Sequence, residues 1–127
     1  MIKAIDIGIP NALGFSISGE ITESDVSEAL IKAKSLGEHF GNITIYEEVE
    51  SFQGLEISAL TKKFKYLLDV GVSNISAAAI LTDKKWLQKI VRLEDKIFRN
   101  IDIRCFSLEQ REEAIHFLEQ YAPNGSD

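Results

Sequence analysis

The sequence predicts an α/β fold, a mostly parallel five-stranded sheet flanked by four helices, with an N-terminal hairpin supplying one antiparallel strand. Three observations carry this. From Thr22 onward, amphipathic segments of helical period alternate with short strand-like segments, the order that builds parallel sheets through helical crossovers. The first two strand-like segments are joined by turn residues alone, so they pair antiparallel. The run ISAAAIL, Ile75 to Leu81, is almost continuously apolar, as expected of a central strand covered on both faces.

The segment Ile2 to Ile7 places Ile5 and Ile7 on one side and Ala4 on the other, and it reads as an edge strand that accommodates Lys3 and Asp6. Gly8, Pro10 and Asn11 supply a turn, after which Leu13, Phe15 and Ile17 alternate with Gly14, Ser16 and Ser18. Thr22 followed by Asp25 is a helix N-cap arrangement, with acids in the first turn to suit the helix dipole. That first helix buries Val26, Ala29, Leu30, Ala33 and Leu36 and stops at Gly37 or Gly41. Ile43, Ile45 and Val49 with Tyr46 form the third strand, and Glu47, Glu48 and Glu50 crowd its C-terminal end.

A second helix from about Leu55 to Asp69 buries Ile57, Leu60, Phe64, Leu67 and Leu68 and spreads Lys62, Lys63 and Lys65 over its other face. Asp83 caps the third helix. Ile101, Ile103 and Cys105 form the last strand, whose other face carries Asp102, Arg104 and Phe106, a polar alternation that suggests the opposite edge. Ser107 and Gln110 form a capping box for a fourth helix that buries Leu108, Ala114, Ile115, Leu118 and Tyr121. Residues 1–122 make a single domain, and 123–127 are a flexible tail.

At 127 residues and 14.2 kDa the chain hides roughly two-thirds of its unfolded surface on folding, enough for a core without metals or cross-links. One cysteine excludes an internal disulfide, and the start of the chain has no charged and apolar leader pattern, so a cytoplasmic protein is expected. Two histidines, one cysteine and no CxxC or HExxH give no metal-ligand spacing, and neither GxGxxG nor GxxxxGK is present. No cofactor is expected. The net charge of −6 conceals a segregation: residues 1–54 carry 3 basic and 9 acidic side chains, 55–105 carry 10 and 6, and 106–127 carry 1 and 5. The middle segment is therefore a positive region on an acidic protein, or a set of solvated helix faces.

The third helix concentrates that charge. At about 100° per residue, Trp86, Leu87, Ile90, Val91, Leu93, Ile97 and Phe98 share a broad apolar arc interrupted by Glu94. Lys85, Lys89, Arg92, Lys96 and Arg99 form a narrower arc beside the Trp86 edge. A tryptophan flanked by lysines on an amphipathic helix suits a bilayer interface, with the ring among headgroups and the ammonium groups near lipid phosphates. The same composition also suits a protein-binding hot spot or self-association.

Four stretches, NALGFSISGEIT, YEEVESFQGLEISAL, AAILTDKKWLQ and IRCFSLEQREEAIHFL, together resemble the SpoIIAA-like proteins, small bacterial relatives of the STAS domain whose fold is shared with CRAL-TRIO lipid-binding domains. The likeness spans nearly the whole chain, and DKKWL after a small-residue strand is its most specific piece. It implies the SpoIIAA-like fold and a family associated with membranes or lipophilic ligands. One departure stands out. The turn that carries a phosphorylatable serine in the anti-anti-sigma branch reads Ser51, Phe52, Gln53, Gly54 here, so that switch is not expected.

Glu47, Glu48, Glu50 and Asp83 lie near the C-terminal ends of strands, where ligands of parallel sheets bind, and are candidates for a magnesium site or for strand residues alternating toward solvent. His39 and His116 lack partners in the sequence and belong at a core edge or in solvent. Cys105 alternates with Ile103 and Ile101 and reads as a buried small hydrophobe. The expectation is a non-enzymatic cytoplasmic protein, peripheral on the inner membrane face, that docks on anionic lipid through Lys85, Trp86, Lys89, Arg92 and Lys96. It would hold a lipophilic molecule among Leu60, Phe64, Leu67, Trp86, Ile90 and Ile97, as a homo-oligomer and without nucleic acid. The alternative is a STAS-like regulatory protein-interaction module using the same surface.

Overall fold

A computed structural model describes residues 1–20, 22–50, 75–83, 85 and 101–123. Five strands, β1 (Ile2–Ile5), β2 (Ala12–Ile17), β3 (Ile43–Val49), β4 (Ile75–Leu81) and β5 (Asp102–Phe106), lie side by side in sequence order. β1 runs antiparallel to β2, and every other neighbouring pair is parallel. This is the mixed sheet the sequence predicts, with the first and last strands at its edges. Two helices are described, α1 (Glu23–Phe40) and α2 (Arg111–Glu119); the predicted second and third helices lie outside the described residues.

α1 and α2 cover opposite faces. Val26, Leu30 and Ala33 recur at helical spacing along α1 and pack with Ile17, Ile43, Ile45 and Val49 on what we call the front face. On the back face, Ala114, Phe117 and Leu118 of α2 pack with Tyr46, Ala77, Ala79 and Leu81. Each large aliphatic side chain enclosed in this way contributes about 1.5–3 kcal/mol. β3 therefore buries residues on both faces, whereas β4 buries Ala77, Ala79 and Leu81 on the back and leaves Ser76, Ala78 and Ile80 partly buried.

Local chemistry sets the ends of the elements. Thr22 Oγ1 accepts the Asp25 N–H at 3.1 Å, and the Thr22 N–H donates to Asp25 Oδ2 at 3.0 Å, a complete capping box. The Thr22 backbone bond is the leading reason the exposed Asp25 carboxyl sits below its ordinary range. Of the two glycines expected to stop α1, Gly41 does so, at φ 83°, and donates its N–H to Gly37 O at 2.8 Å; Gly37 is buried within the helix. β1 ends at Ile5, short of the expected Ile7, because Asp6 Oδ1 captures the Gly8 N–H at 2.8 Å and closes a turn.

The last helix also differs from expectation. Only half of its predicted capping box forms: Ser107 N–H donates to Gln110 Oε1 at 2.9 Å, while Gln110 becomes the N-cap without a side-chain bond and the helix begins at Arg111. The Gln110 N–H is already committed to Ser107 O at 3.0 Å, and Asp83 Oδ1 accepts the Leu108 N–H at 3.2 Å, so the intervening residues form a turn.

Gly14 faces Ile5 across the hairpin, where a Cβ would run into the Ile5 carbonyl oxygen. Because the obstruction is backbone, the strand itself must move. Gly14→Ala should cost about 1–2 kcal/mol, seen as a lower urea midpoint with an unchanged slope.

Candidate functional site

The parallel strands end together near Val49, Leu81 and Phe106, the end of a parallel sheet that hosts ligands most often. The four carboxylates expected there do not converge. Period-two alternation sends Glu47 to the front face with Ile45 and Val49, and Glu48 to the back face with Tyr46. Glu50 is exposed beyond the strand, and Asp83 is engaged with the Leu108 N–H. Among the described residues no three His, Cys, Asp or Glu side chains gather as a metal site would require.

On the back face the fully buried Tyr46 hydroxyl donates to Glu48 Oε1 at 2.6 Å, and the Arg111 guanidinium lies 3.9 Å from the same oxygen. This joins the centre of the sheet to the first turn of α2. Burial is the leading cause that raises the Tyr46 phenol above its ordinary value, and the bond to Glu48 adds to it. The outer edge of this face is tied in a similar way. Tyr121 donates to Asp102 Oδ2 at 2.9 Å, Arg104 Nε stands 3.5 Å from Asp102 Oδ1, and the Arg104 guanidinium lies 4.5 Å from the centre of the Phe117 ring. The Asp102 bond is the leading cause that raises the Tyr121 phenol. Both networks are mutually satisfied and hold α2 down.

Glu47 is different. Its neighbours in register are Phe15 on β2 and Ile80 on β4, and Ile45 and Val49 precede and follow it on its own face of β3. The side chain is partly buried in this apolar setting, and among the described residues no donor or cation is bonded to it. Loss of water alone raises its carboxyl from 4.5 to about 7. Of the strand-end glutamates expected to alternate toward solvent, Glu50 is exposed, and Glu47 and Glu48 are partly buried.

Of the residues expected to contact membrane or ligand, Lys85 is exposed just beyond β4. Trp86, Lys89, Arg92, Lys96, Leu60, Phe64, Leu67, Ile90 and Ile97 lie outside the described residues. His39 and His116 are exposed, the first edge-on to the Phe40 ring at 4.6 Å and the second 3.7 Å from Glu119, and Cys105 is partly buried. An open recess of about 620 Å³ at the hairpin is lined by Ala4, Ile5, Asp6, Ile9 and Leu13 among others. No described helix is long and apolar enough to cross a membrane. The Glu47 setting was within reach of the sequence, because YEEV alternates and puts Glu47 with Ile45 and Val49; the Arg111 partnership, 63 positions from Glu48, carries no local signal.

Comparison with known proteins agrees with this architecture. The sequence model of the SpoIIAA-like family matches residues 12–119. A solved structure of an uncharacterised protein of the DUF3478 family from Shewanella loihica PV-4, described as having a SpoIIAA-like fold, superposes with a TM-score of 0.68 over 93% of this chain and 92% of that one, at 18% identity. At that identity the likeness speaks for the fold alone. No curated protein matches the chain.

Proposed function

The chain belongs to the SpoIIAA-like family, and from that premise we propose that it is a non-enzymatic binding protein that docks reversibly on anionic membrane surfaces and holds a lipophilic small molecule under its second and third predicted helices. The observation that carries the reading is the adjacency of Trp86 to the basic arc Lys85, Lys89, Arg92, Lys96 and Arg99 on one amphipathic segment, whose first member, Lys85, is exposed. Each basic residue held near an anionic leaflet contributes about 1 kcal/mol, so the arc gives attraction that is useful, reversible and sensitive to salt. The partly buried Ala78 and Ile80 on the front of β4 are in keeping with an apolar occupant.

Co-sedimentation with vesicles containing phosphatidylserine tests the docking. Binding at low salt should fall as salt rises, and Lys85→Glu should weaken it about tenfold, since it removes one favourable charge and adds an unfavourable one. Absence of binding at low salt would remove the membrane reading. The fold also favours a second reading, a regulatory protein-interaction module of the STAS kind working without the phosphorylatable serine. In that case Trp86→Ala would release a stoichiometric protein partner, and lipid would have no effect.

A further inference from the structure

Asn11 and Thr44 are both fully buried, and neither Asn11 Oδ1 nor Thr44 Oγ1 has a hydrogen-bond partner within the chain. The two residues are joined backbone to backbone, since Asn11 O accepts the Thr44 N–H at 3.0 Å. Their side chains share the back face, Thr44 by alternation with Tyr46 and Asn11 through its reach to Tyr121 beyond α2. Turning the Asn11 amide over gives no relief. Its Nδ2 already donates to the carbonyls of Asn42 and Tyr121, and the reversed group would face both with an oxygen. A buried polar atom left unmet is costly, and interior waters commonly meet such atoms.

We propose that one buried water binds at this point, donating a proton to Asn11 Oδ1 and accepting the proton of the Thr44 hydroxyl. The water belongs to the junction that ties the hairpin, the start of β3 and the residues after α2. The surroundings suit a guest of that size. In register, Thr44 lies between Ala12 on β2 and Ala77 on β4, so its flanking positions carry only methyl groups. The pairing of β3 with β4 shifts at the same place, Ile43 facing Ile75 but Thr44 facing Ala77, and the extra residue, Ser76, is held through its Oγ by Asn42 Nδ2 at 3.1 Å. Other small guests fit less well. Oδ1 only accepts while the hydroxyl can donate, a pair that a molecule with both a donor and an acceptor satisfies. A cation requires several oxygen ligands, and an anion is repelled by Oδ1.

Magnetic relaxation dispersion of the solvent, which counts long-lived internal waters, tests the assignment on the full chain beside Thr44→Val and Thr44→Ser. Valine keeps the shape and removes the hydroxyl, whereas serine keeps the hydroxyl. Thr44→Val should lose one long-lived water and lower the folding equilibrium constant about tenfold in a urea titration, the effect of breaking one buried hydrogen bond. Thr44→Ser should keep the water. A valine variant as stable as the wild type, or more stable, overturns the proposal, because the hydroxyl is then simply unmet. Lost stability with an unchanged water count also overturns it and assigns the hydroxyl a direct bond to the protein. A wild type that holds no long-lived water overturns it whatever the variants do.

Discussion

Glu47→Gln is expected to stabilise the protein by about 2 kcal/mol at pH 8, with a gain that shrinks as the pH falls and disappears near pH 4.5. In the folded protein the Glu47 carboxyl is raised from 4.5 to about 7 by desolvation. The folded state thus binds this proton more tightly than the unfolded state, so the wild type has its full contribution from Glu47 below about pH 4.5 and loses it progressively as the pH climbs to 7. Linkage sets the limit at about 3 kcal/mol, and the partial exposure of the side chain brings the expected figure to about 2 kcal/mol. Glutamine keeps the size and never ionises. The remaining titrations are common to both proteins and cancel in the difference, so urea midpoints of the pair at pH 4.5, 6 and 8 isolate this one group. A difference that stays constant over that range would show that Glu47 is ordinarily solvated.

The fold was legible where one residue type and a short spacing settle the geometry. Thr22 and Asp25 announced a capping box that forms in full, and the turn chemistry of Gly8 and Pro10 announced the hairpin. ISAAAIL announced a strand with a neighbour on either side, and β4 lies between β3 and β5. Legibility failed where two local signals compete. Ser107 and Gln110 satisfy the capping-box pattern, yet Asp83, 25 positions from Leu108, helps to fix a turn there, and the helix starts at Arg111. The site was legible only in part. Alternation gives the face of Glu47, but whether that face is wet depends on how many strands flank β3 and on which side α1 packs, and both are tertiary facts. Tyr46 was recognisable as a strand residue, whereas its pairing with Glu48 and Arg111 requires α2 to cross the back of the sheet.

Asn11→Asp should be the most damaging single-atom exchange in the described part of the chain. Asn11 is fully buried in the turn between β1 and β2, where its Nδ2 donates to Asn42 O at 3.2 Å and to Tyr121 O at 3.0 Å, while its own carbonyl accepts the Thr44 N–H at 3.0 Å. One amide therefore ties the hairpin to the start of β3 and to the residues after α2. Its Oδ1 has no hydrogen-bond partner, and neither does the neighbouring Thr44 Oγ1. Those unpaired oxygens make the two obvious substitutions unequal. Asn11→Ala loses two donor bonds but also removes the unpaired Oδ1, so the net cost should be about 1–2 kcal/mol. Asn11→Asp keeps that oxygen and turns a second one, with a charge, toward two carbonyls that previously accepted hydrogen bonds. The carboxyl must then stay protonated or be repelled, at a cost of about 4 kcal/mol near neutral pH. Acidification should restore much of the loss in Asn11→Asp and none in Asn11→Ala, because only the first carries a group whose folded-state pKa is raised. Urea midpoints of the two variants at pH 4 and pH 7.5 decide the matter. If they fall equally and without pH dependence, Asn11 fills space and does not bridge the three segments.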